Sequence, residues 1–570
     1  MKLIKYIKQY SFQAIAGFFF KILEAFLELL VPIVVASIID VGVASKDLNF
    51  IYTRGLMLVG LAVCGYLSAL VCQWYASKVS QLVGTTLRKD MYEKINNMDD
   101  KTITRLTPSS LATRLVNDVV QIQQAIAMTI RLTSRAPFIM IGSLVMAFLI
   151  SGKMVIIFIV GTIILAIGMT FITVVSMPYF ARIQKTLDKI ALKTRETLNG
   201  IRVIRAFSNT KKEISGFKKT TKSQKDIQVK VGKFQALLNP FTFLIVNITI
   251  VVILYVGGIE VNIGGLSQGE VLALTNYMNS ILQVLIVYAN VLSIYNKCGA
   301  SYSRIVEVLE DQPSIEDKGT NKEMKDVNPI IKFDNVSLAY DKHNILEDIS
   351  FEINKGETVG IIGGTGAGKT SLVNLIMRYY EVSSGVIKLC NQPIDSYSLN
   401  TLRSNIGLVN QNPSLFTGTI KENLLMGQDN NTSLDEALKV SQSDEFVKQS
   451  GIDRMLVEGG KNLSGGQKQR LTIARALVKN PSILIMDDSS SALDYATERS
   501  LFNELDKLTN MTKLVISQRI SSIRSANKIL VLYHGKMVGF DTHDNLLKTC
   551  NVYKEIVDSQ TSKVGDNYEK

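Results

Sequence analysis

Gly363-Gly364-Thr365-Gly366-Ala367-Gly368-Lys369-Thr370 follows the pattern G-x-x-x-x-G-K-[ST]. Glycines in that pattern let backbone N–H groups close around the phosphates of a nucleotide. Lys369 can reach the β and γ oxygens, and the Thr370 hydroxyl can ligate Mg²⁺. Thr358–Ile362 (TVGII) reads as a buried strand and Thr370–Tyr379 (TSLVNLIMRY) as the helix after it. That strand–loop–helix setting separates a phosphate-binding loop from a glycine-rich structural turn.

At 570 residues the chain is too long for one compact domain. It is 47% hydrophobic, and the apolar residues concentrate in the first 300. Six stretches there are long enough to cross a bilayer, which takes roughly 20 mostly apolar residues. They lie near Phe12–Val41, Ile51–Val79, Ile130–Ile150, Val155–Val175, Ala236–Gly257 and Val271–Ile294. The alternative, a large buried helical core, fits six segments of this length poorly.

The net charge of +13 is distributed unevenly. Lys2, Lys5 and Lys8 precede the first span. The connections after spans two and four are rich in Lys and Arg, whereas the opposite connections are short and poor in base. The positive-inside rule therefore predicts a cytoplasmic N-terminus, and an even number of spans leaves everything after residue 298 in the cytoplasm as well. The excess base reads as orientation in a lipid bilayer and not as nucleic-acid binding. No cleavable signal peptide is evident. Cys64, Cys72, Cys298, Cys390 and Cys550 are scattered, as are His343, His534 and His543, so neither a disulfide framework nor a metal site is expected from them.

The expected organisation is a membrane domain over residues 1–308, a polar linker over 309–329, an α/β nucleotide-binding domain over 330–560 and a flexible tail over 561–570. Fraying is expected from Ser559 onward. The predicted fold class is a membrane α-helical bundle of six transmembrane helices fused to an α/β domain that contains the phosphate loop and a helical subdomain.

A second chemical layer follows. Leu463-Ser464-Gly465-Gly466-Gln467 stands just before an amphipathic helix, Gln467–Val478. Two glycines at a helix N-terminus make a ready anion site. Ile483–Met486 then reads as a buried strand ending in Asp487-Asp488, carboxylates placed to hold the Mg²⁺ shell and to orient water. The order of phosphate loop, LSGGQ and strand-end Asp resembles the ATP-binding-cassette (ABC) transporter family. The closest pattern is its exporters with six spans followed by one cassette, and the resemblance covers nearly the whole chain.

The resemblance implies roles by position. ATP and Mg²⁺ would be bound by Tyr340, Gly363, Gly364, Thr365, Gly366, Ala367, Gly368, Lys369, Thr370, Ser371, Gln411 and Asp487. Tyr340 would stack on adenine, and Gln411 would reach Mg²⁺ and the attacking water. Ser464, Gly465, Gly466 and Gln467 would complete the ATP site of a second cassette, since such cassettes close head to tail over two ATP molecules. Val457–Gly460 would contact opposite cytoplasmic helices, and Ser491–Asp494 would cross between cassettes. His543 falls in a surface turn and is expected to be structural. Thr107–Val119 and Glu196–Phe207 resemble the regions that flank or form the helices docking on the cassettes. One copy of each motif implies a half-transporter that dimerises.

Two positions depart from the family pattern. The carboxylate after Asp487 is usually Glu; here it is Asp488. The switch residue is usually His; here it is Gln518. An amide donates a hydrogen bond to the γ-phosphate but carries no charge and relays no proton. Asp488, Gln518 and Gln411 therefore form an expected catalytic set that hydrolyses weakly. With LSGGQ intact, the pattern resembles the degenerate-site subunit of bacterial heterodimeric multidrug exporters; a homodimer with two impaired sites is the other arrangement.

In the sixth span Asn276, Asn279, Gln283 and Asn290 fall on one stripe of the helix. They can line a hydrated path for a small amphiphilic cargo or bind neighbouring helices by hydrogen bonds. Lys21, Glu24 and Glu28 lie inside the first span, where ionisable groups are functional candidates; an internal Lys21–Glu24 pair is the plain alternative. A non-pumping, ATP-gated membrane subunit is the rival class.

Overall fold

The computed structural model describes residues 2–313, 315–321, 323–324, 327–340, 343–426 and 433–565. It divides into two compact units, residues 1–97 with 107–311 and residues 98–106 with 312–570.

The first unit is helical. Six helices are long and apolar enough to cross a membrane: Ser11–Val43, Leu48–Asn96, Pro108–Ile150, Gly152–Asn199, Thr210–Asn262 and Gln268–Val287. The last runs on as helix to Glu310. Long apolar side chains such as Leu56, Ile156, Ile167 and Phe171 point outward, exposed. In water such a surface is unfavourable at about 25 cal/mol per Å²; in a bilayer it is the expected outer face. Several ionisable groups inside the bundle are paired. Lys21 holds Glu24 at 2.8 Å and Arg135 holds Glu28 at 2.5 Å. Asp118, nearly buried, accepts both Nε and Nη2 of Arg304 and the Ser301 hydroxyl, and Arg114 reaches Glu307 at 2.8 Å. These bonds tie the third membrane helix to the long extension of the sixth, each joining one buried partner to one that reaches the surface.

The second unit is layered α/β. A six-stranded sheet runs in the spatial order Lys536–Asp541, Lys528–Tyr533, Thr358–Gly363, Thr512–Ile516, Ile483–Asp487 and Ile406–Val409. Every neighbouring pair is parallel except the outermost, Lys528–Tyr533 with Lys536–Asp541. Ile483–Asp487 and Thr512–Ile516 are buried at all positions, which is why they read as unbroken apolar runs and not as alternating ones. A four-stranded antiparallel sheet, led by Ile331–Tyr340 and His343–Ile353, lies beside it. Helices Ile420–Leu425, Leu434–Val440, Asp444–Ser450 and Gly465–Val478 make a second core around Leu471, Leu438 and Leu424.

Two segments at the expected boundaries carry structure of their own. The polar segment after Glu310 belongs to the second unit: Ile315 is buried, Asn321 N–H donates to the Ser396 carbonyl at 3.1 Å, and Asn321 bridges to Tyr397. Helix Asn551–Gly565 runs through Ser559, where fraying was expected. Gln560 on this helix bonds the domain at Gln518 and Ile520, a signal that a polar composition conceals. Of the expected tail, residues 566–570 lie outside the described residues.

Candidate functional site: a nucleotide pocket at the ends of parallel strands

In a parallel sheet the C-terminal strand ends lie side by side, and the loops leaving them form a crevice. Four adjacent strands here end in candidate residues. The phosphate loop follows Thr358–Gly363, Gln518 follows Thr512–Ile516, Asp487 closes Ile483–Asp487 with Asp488 next, and Gln411 follows Ile406–Val409. Register enforces the convergence, since Ile516 pairs with both Ile361 and Asp487, and Val409 with Met486.

Gly366 and Gly368 have φ of +79° and +97°, a left-handed backbone open to glycine at little steric cost. The loop feeds helix Lys369–Ile376, whose packing on the core uses Leu372, Val373 and Ile376. Lys369 folds back on its own loop, its Nζ donating to the carbonyls of Gly363 at 2.8 Å and Gly364 at 2.9 Å. Burial pulls its ammonium below the ordinary lysine range, with Asp487 and Asp488 acting against that. A phosphate chain would replace the carbonyls with stronger, charge-assisted partners.

Thr370 Oγ1 donates to Asp487 Oδ2 at 3.1 Å. Burial pushes the Asp487 carboxyl above its ordinary value, opposed by the Thr370 bond. A buried carboxylate beside a hydroxyl is a fitting half-site for a hard divalent cation, whose remaining positions phosphate oxygens and water would fill. No cluster of three His, Cys, Asp or Glu side chains occurs among the described residues. The residues present therefore fit a cation that arrives with its nucleotide.

The three candidate catalytic side chains meet at one atom. Asp488 Oδ2 accepts from Gln411 Nε2 at 3.3 Å and from Gln518 Nε2 at 3.4 Å. Asp488 has φ of +46°, a conformation Asp tolerates better than most residues, and its N–H donates to the Ile516 carbonyl at 2.9 Å. Tyr340 ends its strand against Tyr380, ring centroids 4.8 Å apart. Ser371 is the third residue of the helix that Lys369 begins.

Ser464 caps helix Gly465–Val478. Its hydroxyl accepts Gln467 N–H at 3.2 Å, and the Gln467 side chain returns the bond to Ser464 N–H at 3.0 Å. Ser464 and Gly465 stay exposed, so this helix end faces outward. Among the described residues no hydrogen bond joins 464–467 to the phosphate loop. Val457 is exposed, and Glu458–Gly460 form a short 3₁₀ turn. Asp494 caps helix Tyr495–Asp506. His543 Nδ1 and the Tyr553 hydroxyl lie 2.7 Å apart, with the imidazole pulled down by burial, a structural contact as expected.

Three features escape sequence reading. Glu498, nearly buried, accepts Ser490 Oγ, Ser522 Oγ and Arg519 Nη1 at 2.6, 2.7 and 3.3 Å, joining the loop after Asp488 to the segment after Gln518. Gln560 bonds both sides of the switch segment: its Nε2 donates to the Gln518 carbonyl at 2.8 Å, and its Oε1 accepts Ile520 N–H at 3.0 Å. Replacing Gln560 by Ala is expected to lower ATP turnover about three-fold with nucleotide affinity unchanged, since one or two neutral hydrogen bonds of about 1 kcal/mol are lost; filter binding set against phosphate release separates the two. The third feature is residues 98–106, including helix Asp100–Leu106, which cluster with the nucleotide unit. Thr102 and Leu106 are buried, and Asp100 faces Arg403, with burial raising its carboxyl and Arg403 opposing. A run so short and polar carries little periodicity.

The remaining candidates lie in the first unit. Asn276, Asn279 and Gln283 are exposed on one stripe of helix Gln268–Glu310, and their side chains make no hydrogen bond among the described residues. The Asn290 side chain lies outside the described residues. Glu24 and Glu28 are engaged by Lys21 and Arg135. Residues Pro108–Thr113 belong to the first unit, and helix Ile201–Ala206 has no buried residue.

A phosphate loop, a strand-end carboxylate beside a hydroxyl and an exposed helix end capped by Ser464, in a chain with six helices fit to cross a membrane, define a multi-pass membrane protein with a nucleotide domain. The comparisons agree with that class. Residues 14–285 match the ABC transporter transmembrane region and residues 346–491 the ABC transporter cassette. An uncharacterized ABC transporter ATP-binding protein of Bacillus subtilis (strain 168), YfiB, is 34% identical over 99% of both chains. A second from the same organism, YknU, is 31% identical over 98% of both. A bacterial Atm1-family ABC exporter solved with ATP bound shares the fold, with a TM-score of 0.82 and 23% identity over 96% of this chain and 99% of its own. The chain belongs to the ABC transporter family. Six spans with one cassette make it a half-transporter of exporter fold, in a class that couples ATP hydrolysis to transport.

Proposed function

We propose that this chain is one half of a heterodimeric exporter that moves small amphiphilic molecules out of the cytoplasm, with its N-terminus and cassette cytoplasmic. ATP and Mg²⁺ bind at Tyr340, Gly363–Ser371, Gln411 and Asp487, and this site binds nucleotide well but hydrolyses it poorly. Ser464–Gln467 complete a competent site whose phosphate loop and catalytic carboxylate come from the partner. The observation that carries the reading is the surroundings of Asp488: a short carboxylate held by two neutral amides, Gln411 and Gln518. With ATP bound, Lys369 would exchange its loop carbonyls for the phosphates, Asp487 and Thr370 would hold the cation, and Gln518 would be the donor nearest the γ-phosphate. Asp488 then stands one methylene too short to seat the attacking water well. Positioning dominates phosphoryl transfer, and a displacement near 1 Å costs about 10²-fold.

Purified alone, the chain is expected to bind ATP and turn it over slowly. Brisk hydrolysis and pumping by the self-paired chain in proteoliposomes would sink the heterodimer reading and leave the homodimer. A gated, non-pumping subunit is separated by vectorial uptake into inverted vesicles.

The exposed amides at 276, 279 and 283 support a hydrated cargo path, because buried glue would have left them bonded within the chain. Helix Asp100–Leu106 serves as a docking element. Leu106→Asp places a charge at a buried apolar position, so cargo-stimulated hydrolysis is expected to fall several-fold while ATP binding stays intact. Equal stimulation of native and variant protein would remove 98–106 from the coupling path.

A further inference from the structure

A cavity of about 530 Å³ opens between helix Leu48–Asn96 and the helical run from Val119 to Thr133. Ser77, Gln81 and Arg88 line one wall, and Gln124, Ala127 and Arg131 the other. Their spacings of three, four and seven put each set on one face of its helix.

No carboxylate lines this cavity. Among the described residues Arg88 donates only to the amide oxygen of Gln123, at 3.1 Å, and Arg131 only to the Ser77 hydroxyl, at 2.5 Å. Arg131 Nε is shielded from water and has no partner. Glu24, on the first helix, is already satisfied by Lys21. Two half-buried guanidinium groups thus share one space without a counter-ion, an arrangement whose desolvation is uncompensated within the chain.

The wall that presents Arg88 is also rigidly built. Gln123, nearly buried, donates to Gln81 Oε1 at 2.9 Å and to the Ser80 carbonyl at 3.3 Å, and Ser80 Oγ donates back to its carbonyl at 2.8 Å. It lies across Gly84, where a Cβ would stand 2.1 Å from Gln123 Nε2. A mid-helix glycine costs about 1 kcal/mol relative to alanine, and here it admits the side chain that orients Arg88.

Trp74, one turn before Ser77 on the same stripe, is exposed with Lys78 Nζ 4.6 Å above its ring. An exposed tryptophan with a lysine marks the membrane–water boundary. On the topology proposed above that boundary is the cytoplasmic one, where basic pockets between membrane helices take anionic head groups.

We infer that this cavity binds the phosphate head group of an anionic amphiphile, with Arg88 and Arg131 as its two cationic arms. Guanidinium matches phosphate geometry through paired N–H donors. Only the placement in the bilayer rests on the transporter reading; the charge chemistry stands on the two arginines.

The chain has a single tryptophan, and Trp74, one turn from the Ser77–Arg131 contact, reports on that end of the cavity. Full-length protein is reconstituted in phosphatidylcholine nanodiscs with a few mole per cent of dibrominated phosphatidylglycerol or dibrominated phosphatidylcholine, and fluorescence quenching is read. The anionic lipid is expected to quench at a several-fold lower mole fraction than the zwitterionic one. Arg88→Gln with Arg131→Gln abolishes that preference while ATP binding reports an intact cassette, and Arg131→Gln alone weakens it should the double variant fold poorly. Equal quenching by the two lipids, or a preference that survives these changes, overturns the inference. Short-chain phosphatidylglycerol added to the assembled transporter distinguishes the sources: accelerated hydrolysis marks a cargo head group, and unchanged hydrolysis marks a resident lipid. Failure of the exporter reading would show in transport assays and leave the quenching preference in place.

Discussion

The self-paired chain carrying Asp488→Glu and Gln518→His hydrolyses ATP about 10²-fold faster than the native chain, the factor that a base displaced by about 1 Å costs. The gain comes from two changes at one atom cluster. An added methylene extends the carboxylate by roughly one carbon–carbon bond, about 1.5 Å, toward the phosphate crevice. Histidine at 518 restores a group able to carry charge beside the γ-phosphate. Each change alone is expected to give less than the pair, because in the native chain Gln518 donates to the same Asp488 oxygen, and residues in one network do not add. Phosphate release from proteoliposomes is the measurement, with Lys369→Ala as the dead control. Unchanged turnover in the double variant would mean that hydrolysis is limited elsewhere, and the degenerate-site reading would fall.

The second large effect is an asymmetry between the two anion sites of this chain. In the heterodimer proposed above, Ser464→Asp is expected to lower ATP turnover by about 10²-fold or more, the scale of removing a donor aimed at developing charge. Asp remains a good N-cap, so helix Gly465–Val478 keeps its end. What changes is a negative charge where the partner's γ-phosphate would sit. Asp488→Asn, in contrast, alters turnover of the complex by less than about three-fold, because that carboxylate serves a site already slow. If Asp488→Asn silences the complex while Ser464→Asp is tolerated, the division of labour between the two sites is the reverse of the one proposed.

Much of this was legible in the sequence because the deciding signals are contiguous. A phosphate loop keeps glycines, lysine and hydroxyl within eight residues, and each membrane span declares itself by length. Asp487 announced itself at the end of an apolar run. The grouping of residues 98–106 with the nucleotide unit was not legible, because helix Asp100–Leu106 is short and polar and its burial depends on surfaces such as the one around Arg403. Gln560 lay in a stretch whose polarity suggested fraying, yet both ends of its amide are bonded to the switch segment.

The sequence by itself determined the six spans, the nucleotide loop and the two altered positions beside it, since each is written in local pattern and period. The tertiary structure decided what those positions touch. Gln411 and Gln518 stand 77 and 30 residues from Asp488 and meet its carboxylate only because parallel strands set distant loops side by side. It also decided that Arg88 and Arg131 share a space without an acid, because pairing depends on which helices pack together, and no local pattern records that.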